Sequence, residues 1–166
     1  MAQFNKEKIV DTLQRAVFKF TYYVDRLNGS AVSLTAGTLT GSIFWSDLSY
    51  GLSAATADTS RVDISRLYWS TSNAPAGVSG STTPAIAVAW ARPATAITGG
   101  NVSVYLSGSG EWNLRDVGMN LINPLTGASR LNQIDIYNAT SSSSIDSGAY
   151  TLIIEVDKVS GFGITG

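Results

Sequence analysis

The residues that could do chemistry in this chain are carboxylates, because its 166 residues include no histidine and no cysteine. The usual general base of serine and cysteine hydrolases, the commonest metal ligand and the thiolate zinc site are therefore excluded. Two carboxylates that face each other across a cleft are sufficient for glycoside hydrolysis. The acids available for such a pair are Glu111, Asp116, Asp135, Asp146 and Glu155. Their spacing carries no catalytic signature, so we expect solvated surface acids, no enzymatic activity, no metal and no cofactor.

Two other patterns have the letters or residue types of a binding site. Residues 161–166 match G-x-G-x-x-G, but a dinucleotide site needs a helix after the glycines, and none follows in the sequence. We therefore expect a tail in which Phe162 is a candidate contact residue. Trp45 and Trp69 could stack on sugar rings, whereas Trp112 follows the apolar side of its expected strand and is predicted to lie in the core.

The composition favours a subunit that buries area against neighbours. Charged residues make up 14% of the chain, against roughly 25% in typical soluble proteins, so we expect self-assembly. The net charge is −1 and the cations are scattered, which predicts no nucleic-acid partner. The apolar runs are shorter than the roughly 20 residues of a membrane span, and the first residues lack the apolar core of a signal peptide. We expect neither membrane insertion nor classical secretion.

Most of the chain alternates between apolar and polar residues, which is the pattern of half-buried strands. The clearest run, which we predict to be a central strand, contains Tyr150, Leu152, Ile154 and Val156. Roughly eight or nine such short strands, separated by turn residues, predict a mainly β fold. We expect an antiparallel β-sandwich or jelly roll over residues 29–166.

Two local hairpins are expected within this region. Residues 102–106 and 111–114 flank a Gly-Ser-Gly turn, and a serine-rich loop separates residues 131–137 from residues 148–159. We predict that the two strands pair in each case. After residue 116 the apolar parity switches, which indicates a bulge or a bend.

The strand expected over residues 84–93 has one unusually smooth side. Its larger apolar residues occupy one face, and the other face carries Ala85, Ala87, Ala89 and Ala91. A flat alanine face lets another layer approach closely. We expect that layer to belong to the same chain, with a contact to another subunit as the alternative.

Residues 1–28 have a different pattern, which predicts an N-terminal helix. Their apolar residues recur at spacings of three and four, as in an a/d seam: Val10, Leu13, Val17, Phe20, Val24 and Leu27. Such a helix would pack on the β domain of its own chain, or it would act as a self-association seam or an anchor into a larger assembly. Residues 18–24 are also strand formers that alternate, so a strand is the alternative for the second half.

With this seam followed by the strands around residues 86–90, 102–114 and 150–156, the chain resembles the accessory virion proteins of tailed bacteriophages, particularly capsid decoration or cement proteins. The resemblance is one of composition and element order over the whole chain, and no binding residue is carried over from it. It implies a β-rich homo-oligomer, often a trimer, that is assembled into virions in the host cytoplasm and binds the major capsid protein through termini and loops. The seam, the alanine face and the tail are the candidate contact surfaces.

Two other functions fit the same sequence features. A tail, neck or fibre component would have the same composition. A carbohydrate-binding β-sandwich module would present Trp45 or Trp69 to solvent beside an asparagine or aspartate.

Overall fold

The structure, a computed structural model, describes residues 2–24, 39–48, 61–72, 85–90, 102–122, 133–138 and 148–160. Within these ranges the chain forms nine β-strands in two antiparallel sheets, and the prediction of a mainly β fold is confirmed. A single 3-10 turn at Trp45–Asp47 is the one helical element described there. Accordingly, the described part of the chain has no helix of the length and apolarity that crossing a membrane requires.

The larger sheet has five strands. They are β1 (Ala2–Asp11), β2 (Arg15–Val24), β4 (Arg61–Ser72), β7 (Ser109–Asn113) and β9 (Gly148–Ser160). Their order across the sheet is β1-β2-β9-β4-β7. The last described strand, β9, therefore lies in the middle, as predicted, and the side chains of its alternating apolar row are buried.

The smaller sheet has four strands. They are β3 (Leu39–Phe44), β5 (Ala85–Trp90), β6 (Val102–Ser107) and β8 (Gln133–Asn138). Their order across the sheet is β3-β8-β5-β6. The strands β3 and β6 are therefore its edges, and β3 lies on the same side of the molecule as β1, which it contacts.

Four antiparallel pairs are nested in the sequence. The innermost pair is β5 with β6, followed outward by β4 with β7, β3 with β8 and β2 with β9. Successive pairs belong to alternate sheets. The pairing of β5 with β8 and of β4 with β9 joins the four pairs into the two sheets. The strand β1 is an additional edge strand outside this nested set.

One apolar core is shared by the two sheets. It takes alternating side chains of β2, β4 and β9 from the larger sheet and of β3, β5, β6 and β8 from the smaller one. Its largest fully buried members include Phe18, Ile43, Ile64, Leu67, Ile86, Ile134 and Ile154. Each sheet has one apolar face, and burying the two faces against each other is the main stabilising contribution. Two layers around one core are compatible with a β-sandwich.

The predicted N-terminal helix is wrong, because residues 2–24 form β1 and β2. The turn between them is closed by Thr12, whose backbone N–H donates to the Arg15 carbonyl at 2.8 Å. The alternative of a strand over residues 18–24 is confirmed. Alternate side chains of β2 enter the shared core, so this segment is part of the same layered structure.

The helical spacing in this segment has a physical explanation. The residues at this spacing come from β1, from the turn and from both faces of β2. Val17 and Phe20 lie on opposite faces of β2, because successive side chains of a strand alternate between its faces. Apolar residues taken from both faces give spacings of three and four, although each face on its own has a period of two.

Both predicted hairpins are also wrong. The strands exist, but β6 pairs with β5 while β7 pairs with β4, so consecutive strands lie in different sheets. Gly108 allows this change of direction because its φ is 67°, in the left-handed region that favours glycine. Its carbonyl accepts hydrogen bonds from the backbone N–H and the hydroxyl of Thr71, both at 2.8 Å. Likewise, β8 and β9 belong to different sheets.

Candidate functional site

The expectation of solvated surface acids is wrong for Asp135 and Glu155, because both are buried, Asp135 in the smaller sheet and Glu155 in the larger one under two arginines. The Ser42 hydroxyl donates to Asp135 Oδ1 at 2.6 Å, and the Tyr137 hydroxyl donates to Asp135 Oδ2 at 3.2 Å. These bonds satisfy both carboxylate oxygens, which is what a buried carboxylate requires. Asp135 therefore contributes to the structure of the sheet rather than presenting a reactive group.

Two further candidate acids are exposed, and each has a partner. Glu111 forms an ion pair with Arg66, and Asp116 accepts a hydrogen bond from the Asn113 amide at 2.8 Å. Asp146 lies outside the described residues. Among the residues that the structure describes, no three acidic side chains are arranged to hold a metal ion.

Glu155, the remaining candidate acid, is the centre of an ion-pair cluster on the outer face of the larger sheet. Its Oε1 accepts from Arg15 Nη1 at 3.3 Å and from Arg115 Nη1 at 2.5 Å. Arg115 also pairs with Asp157, whose other oxygen accepts from Asn120 Nδ2 at 3.0 Å. The hydrogen bond to Asp157 raises the pKa of Arg115 above its usual value, and partial burial opposes that shift. The cluster fixes the position of Arg115 over the sheet.

This cluster holds residues 114–122, which we call the apolar loop. At one end of the loop the Leu114 N–H donates to the Ser65 carbonyl at 3.0 Å. At the other end Leu121 and Ile64 exchange both backbone hydrogen bonds, at 2.9 and 3.1 Å. Three large apolar side chains on the loop are 67%, 68% and 58% exposed, respectively: Val117, Met119 and Ile122. The apolar loop is thus an exposed projection with a fixed base.

An open groove of about 390 Å³ lies along the opposite edge of the larger sheet, between its edge strand β1 and strand β3 of the smaller sheet. Its exposed apolar rim consists of Phe4 from β1 and Leu39 and Phe44 from β3. The buried ring of Phe20 lines its floor. We call this feature the β1–β3 groove.

Two lysines of β1 give the β1–β3 groove a cationic side. The Lys6 ammonium donates to the Ser42 carbonyl at 3.2 Å and pairs with Asp47 Oδ2 at 2.7 Å. The Lys8 ammonium donates to the Asp47 carbonyl at 2.9 Å. The side chains of Lys6 and Lys8 are 35% and 38% exposed, against 27% for Asp47. Lys8 also pairs with Asp11, whose side chain is 6% exposed, so each lysine is paired and its side chain is more exposed than that of the aspartate with which it pairs.

Behind the rim, aromatic rings continue the groove wall into the core. Phe4 packs on Tyr22 with 4.8 Å between ring centroids, and Tyr22 stacks on Tyr150 at 5.2 Å. The Tyr150 hydroxyl shares a hydrogen bond of 2.5 Å with Thr40, and burial raises the pKa of Tyr150 to about 12. The Tyr22 hydroxyl is buried and has no hydrogen-bond partner in the described part of the chain, and burial raises its pKa as well. Both tyrosines are neutral near pH 7.

Trp69, one of the two tryptophans predicted to stack on sugar rings, does not present its ring to solvent. Trp69 is buried and its indole N–H donates to the Ser107 carbonyl at 3.0 Å. Trp112, which was expected in the core, is 42% exposed and packs edge-on against Trp69 with 5.8 Å between centroids. That expectation is wrong because β7 is an edge strand, so one side of Trp112 has no neighbouring strand. The side chain of Trp45 lies outside the described part.

The structure does not bring the residues of the predicted seam together. They are Val10, Leu13, Val17, Phe20, Val24 and Leu27. Phe20 is buried in the core, whereas Val10 and Val17 are register partners on the opposite face of the sheet. Leu13 is exposed in the turn between β1 and β2. Val24 is the last residue of β2, and Leu27 lies outside the described residues.

The alanine face is packed within the chain. Ala87 and Ala89 have no exposed area and form a small cluster with Tyr137. Neither therefore offers area to a partner, and Ala85 is half-buried at the start of β5. Two further contact candidates, Ala91 and Phe162, lie outside the described residues.

Comparison of this chain with models of known protein families and with curated protein sequences finds no match. Its function is therefore argued from its own surfaces. Two exposed apolar features of the described residues, the apolar loop and the β1–β3 groove, were not among the sequence candidates. The switch of apolar parity after residue 116 indicated a bend at the loop, but not that its apolar side chains face solvent.

Proposed function

We propose that this chain is a non-enzymatic structural protein of a tailed-bacteriophage virion. Its role would be that of a capsid decoration protein, which binds the major capsid protein as a homo-oligomer, with a trimer favoured. The action is mechanical, because each copy that buries surface across a junction of the shell lowers the free energy of the closed shell. The observation that carries the proposal is the presence of exposed apolar side chains at two fixed places on a chain of low charge.

Contiguous exposed apolar area is uncommon on soluble monomers and typically marks a contact site. The apolar loop and the rim of the β1–β3 groove both have this character. The candidate acids that the structure describes take part in ion pairs or hydrogen bonds. Contact surfaces rather than reactive groups are thus the prominent features of the described residues.

We infer in addition that the two sheets form a jelly roll. The four nested antiparallel pairs support this, because a jelly roll is a long double strand rolled into two four-stranded sheets. The strand β1 would then be an addition to the eight strands of that fold. Jelly rolls occur in viral capsid proteins and in lectins. The fold therefore agrees with a virion protein but does not distinguish it from a carbohydrate-binding protein.

Co-sedimentation with capsid shells tests the proposed function. Shells would be assembled from the major capsid protein encoded in the same genome and mixed with the purified chain. We expect saturable binding at a fixed number of copies per capsomer, and a higher temperature of shell disruption when the chain is bound. A chain that stays in the supernatant at every concentration would contradict a decoration role. Binding to isolated tails instead would favour the tail, neck or fibre alternative.

A carbohydrate-binding module is the second candidate, and one observation favours it. Trp112 is 42% exposed on the edge strand β7, so part of its indole surface is open to solvent and could stack on a sugar ring. Titration with a panel of oligosaccharides, followed by tryptophan fluorescence, tests this candidate. Saturable quenching that disappears in Trp112→Ala would support it, and an unchanged spectrum with every sugar would remove it.

A further inference from the structure

The apolar loop and the β1–β3 groove lie on opposite edges of the same sheet. The groove is bounded by β1, the first strand in the order β1-β2-β9-β4-β7, and the loop directly follows β7, the last one. Neighbouring strands are about 4.8 Å apart, so the two edges are separated by roughly 20 Å. A single copy therefore cannot insert its own loop into its own groove.

The two features are complementary in shape and polarity. The loop projects three apolar side chains, Val117, Met119 and Ile122. The groove is a concave site with an apolar rim and an apolar floor. Removing both surfaces from water together would be favourable, whereas each alone leaves apolar area exposed.

The two features also differ in the charge that they present. Asp116 is exposed on the apolar loop, and since Arg15 and Arg115 are paired with Glu155 and Asp157, it leaves that side with one net negative charge. At the groove side Lys6, Lys8 and Lys158 are paired with two carboxylates, those of Asp11 and Asp47, which leaves one net positive charge. A carboxylate on the loop would therefore approach a cationic side of the groove, which favours this orientation over loop-to-loop or groove-to-groove contact.

We propose that the apolar loop of one copy docks into the β1–β3 groove of the next copy, in a head-to-tail contact. The occupant of the groove is a second copy of this chain because both complementary surfaces are on every copy, at opposite edges. A head-to-tail contact closes into a ring when its rotation permits and otherwise extends as a filament. This inference depends on the self-association included in the proposed function, and not on the identity of the shell.

Two single variants and their mixture test the contact. Met119→Lys places a charge on the apolar loop, and Leu39→Lys places a charge on the groove rim. Both residues are exposed, so we expect the fold to persist, which an unchanged circular dichroism spectrum and melting temperature would verify. The matched control is Tyr105→Lys, at a residue equally exposed on β6, in the other sheet.

Sedimentation equilibrium gives the readout. We expect the wild type and Tyr105→Lys to form the same oligomer, and each of the other variants alone to associate at least about 30-fold more weakly. An equimolar mixture of the two variants should form a one-to-one dimer. In that mixture the Leu39→Lys copy still has an intact loop, and the Met119→Lys copy still has an intact groove. Exactly one contact can then form, so assembly stops at two copies.

Three results would overturn the inference. They are a wild type that is monomeric at all concentrations, single variants that keep the wild-type mass, and a mixture that stays monomeric. Failure of the decoration role is distinguishable, because the shell-binding experiment would then be negative while the ring and the mixed dimer still form. Conversely, a chain that binds shells but gives a monomeric mixture would retain the proposed function without this contact.

Discussion

At the residue scale, two glycines let large aromatic side chains lie directly against the backbone. A Cβ atom at Gly41 would be 2.8 Å from Phe20 Cδ1, and one at Gly110 would be 2.6 Å from Trp69 Cζ2. Both distances are far below a van der Waals contact between carbon atoms. The close approach allows Phe20 to fill the core beside β3 and Trp69 to fill it beside β7.

We predict that Gly41→Ala destabilises the protein by about 1–3 kcal/mol, because the added methyl group must displace the buried Phe20 ring. Urea unfolding monitored by fluorescence measures the change. Ser70→Ala, on the exposed face of β4, is the control and should stay within about 0.5 kcal/mol of the wild type. If the clash is the cause, Phe20→Leu should cost less in the Gly41→Ala background than in the wild type. Additive losses would argue against a steric origin.

The buried Tyr150 hydroxyl predicts a loss of stability in alkali. An unfolded tyrosine has a pKa of about 10, whereas burial raises the pKa of Tyr150 to about 12 in the folded chain. Between these values the unfolded chain releases a proton that the folded chain retains, so the free energy of unfolding falls as the pH rises. Below pH 10 the full stability is present.

We expect Tyr150 to contribute a fall of at most about 1.4 kcal/mol per pH unit across this window, measured by urea unfolding at several pH values. Tyr150→Phe should be less stable at pH 7, because the buried bond between Thr40 and Tyr150 is lost while Thr40 keeps its bond to the Ile136 carbonyl, and it should show a shallower alkaline slope. Tyr105→Phe, at an exposed residue, should leave the slope unchanged. Equal slopes in all three proteins would mean that Tyr150 is not protected by burial.

At the element scale, a strand was predictable where its apolar residues occupy one face. The apolar row of β9 is of this kind, and the central position of β9 was predicted correctly. In β2, apolar residues on both faces give a helical spacing instead, although the residues of β2 are strand formers. The conformation of β2 is decided by its pairing with β9. This pairing joins distant parts of the chain, so a local sequence pattern cannot predict it.

The apolar loop is connected to β9 by two of its side chains, Arg115 and Asn120. Its backbone has hydrogen bonds at its two ends, and between them Arg115 connects it to Glu155 and Asp157 of β9. We predict that Arg115→Ala raises the hydrogen-exchange rate of the Met119 and Leu121 amides about five- to tenfold, as expected for a partly exposed ion pair worth about 1 kcal/mol.

Arg66→Ala is the matched control for this experiment. It removes an exposed arginine–glutamate pair between β4 and β7 that does not reach the apolar loop. We expect normal exchange of the loop amides in this variant, and normal exchange in β8 for both variants. Loop amides that stay protected in Arg115→Ala would mean that the backbone bonds and the Asn120–Asp157 bond hold the loop without Arg115.

At the scale of the whole molecule, the sequence predicts the class of fold but not its connections. Alternation identified strands of both sheets, because each sheet needs one apolar face, but it did not identify β1 or the first half of β2. Which strand pairs with which depends on contacts between distant parts of the chain, and both expected hairpins were therefore replaced by nested pairs. The same holds for the candidate contact surfaces, whose local pattern was predictable and whose burial was not. Alanines with a strand pattern were correctly placed on one face, but their burial depends on layers that the local sequence does not specify.

The nested pairing predicts that the fold cannot form before β9 is present. The strands β2 and β4 both pair with β9, so a chain that ends at residue 147 leaves their inner edges without a partner. We expect circular dichroism and amide NMR dispersion to show that this truncated chain is unfolded. A chain lacking residues 1–11 should fold with reduced stability, because β1 is only an edge strand. Pairing between distant segments also requires costly loop closure, so the full chain should refold in milliseconds to seconds rather than microseconds. A folded chain without β9 would show that the nested outer pair is dispensable, and the order of the larger sheet would then not explain its stability.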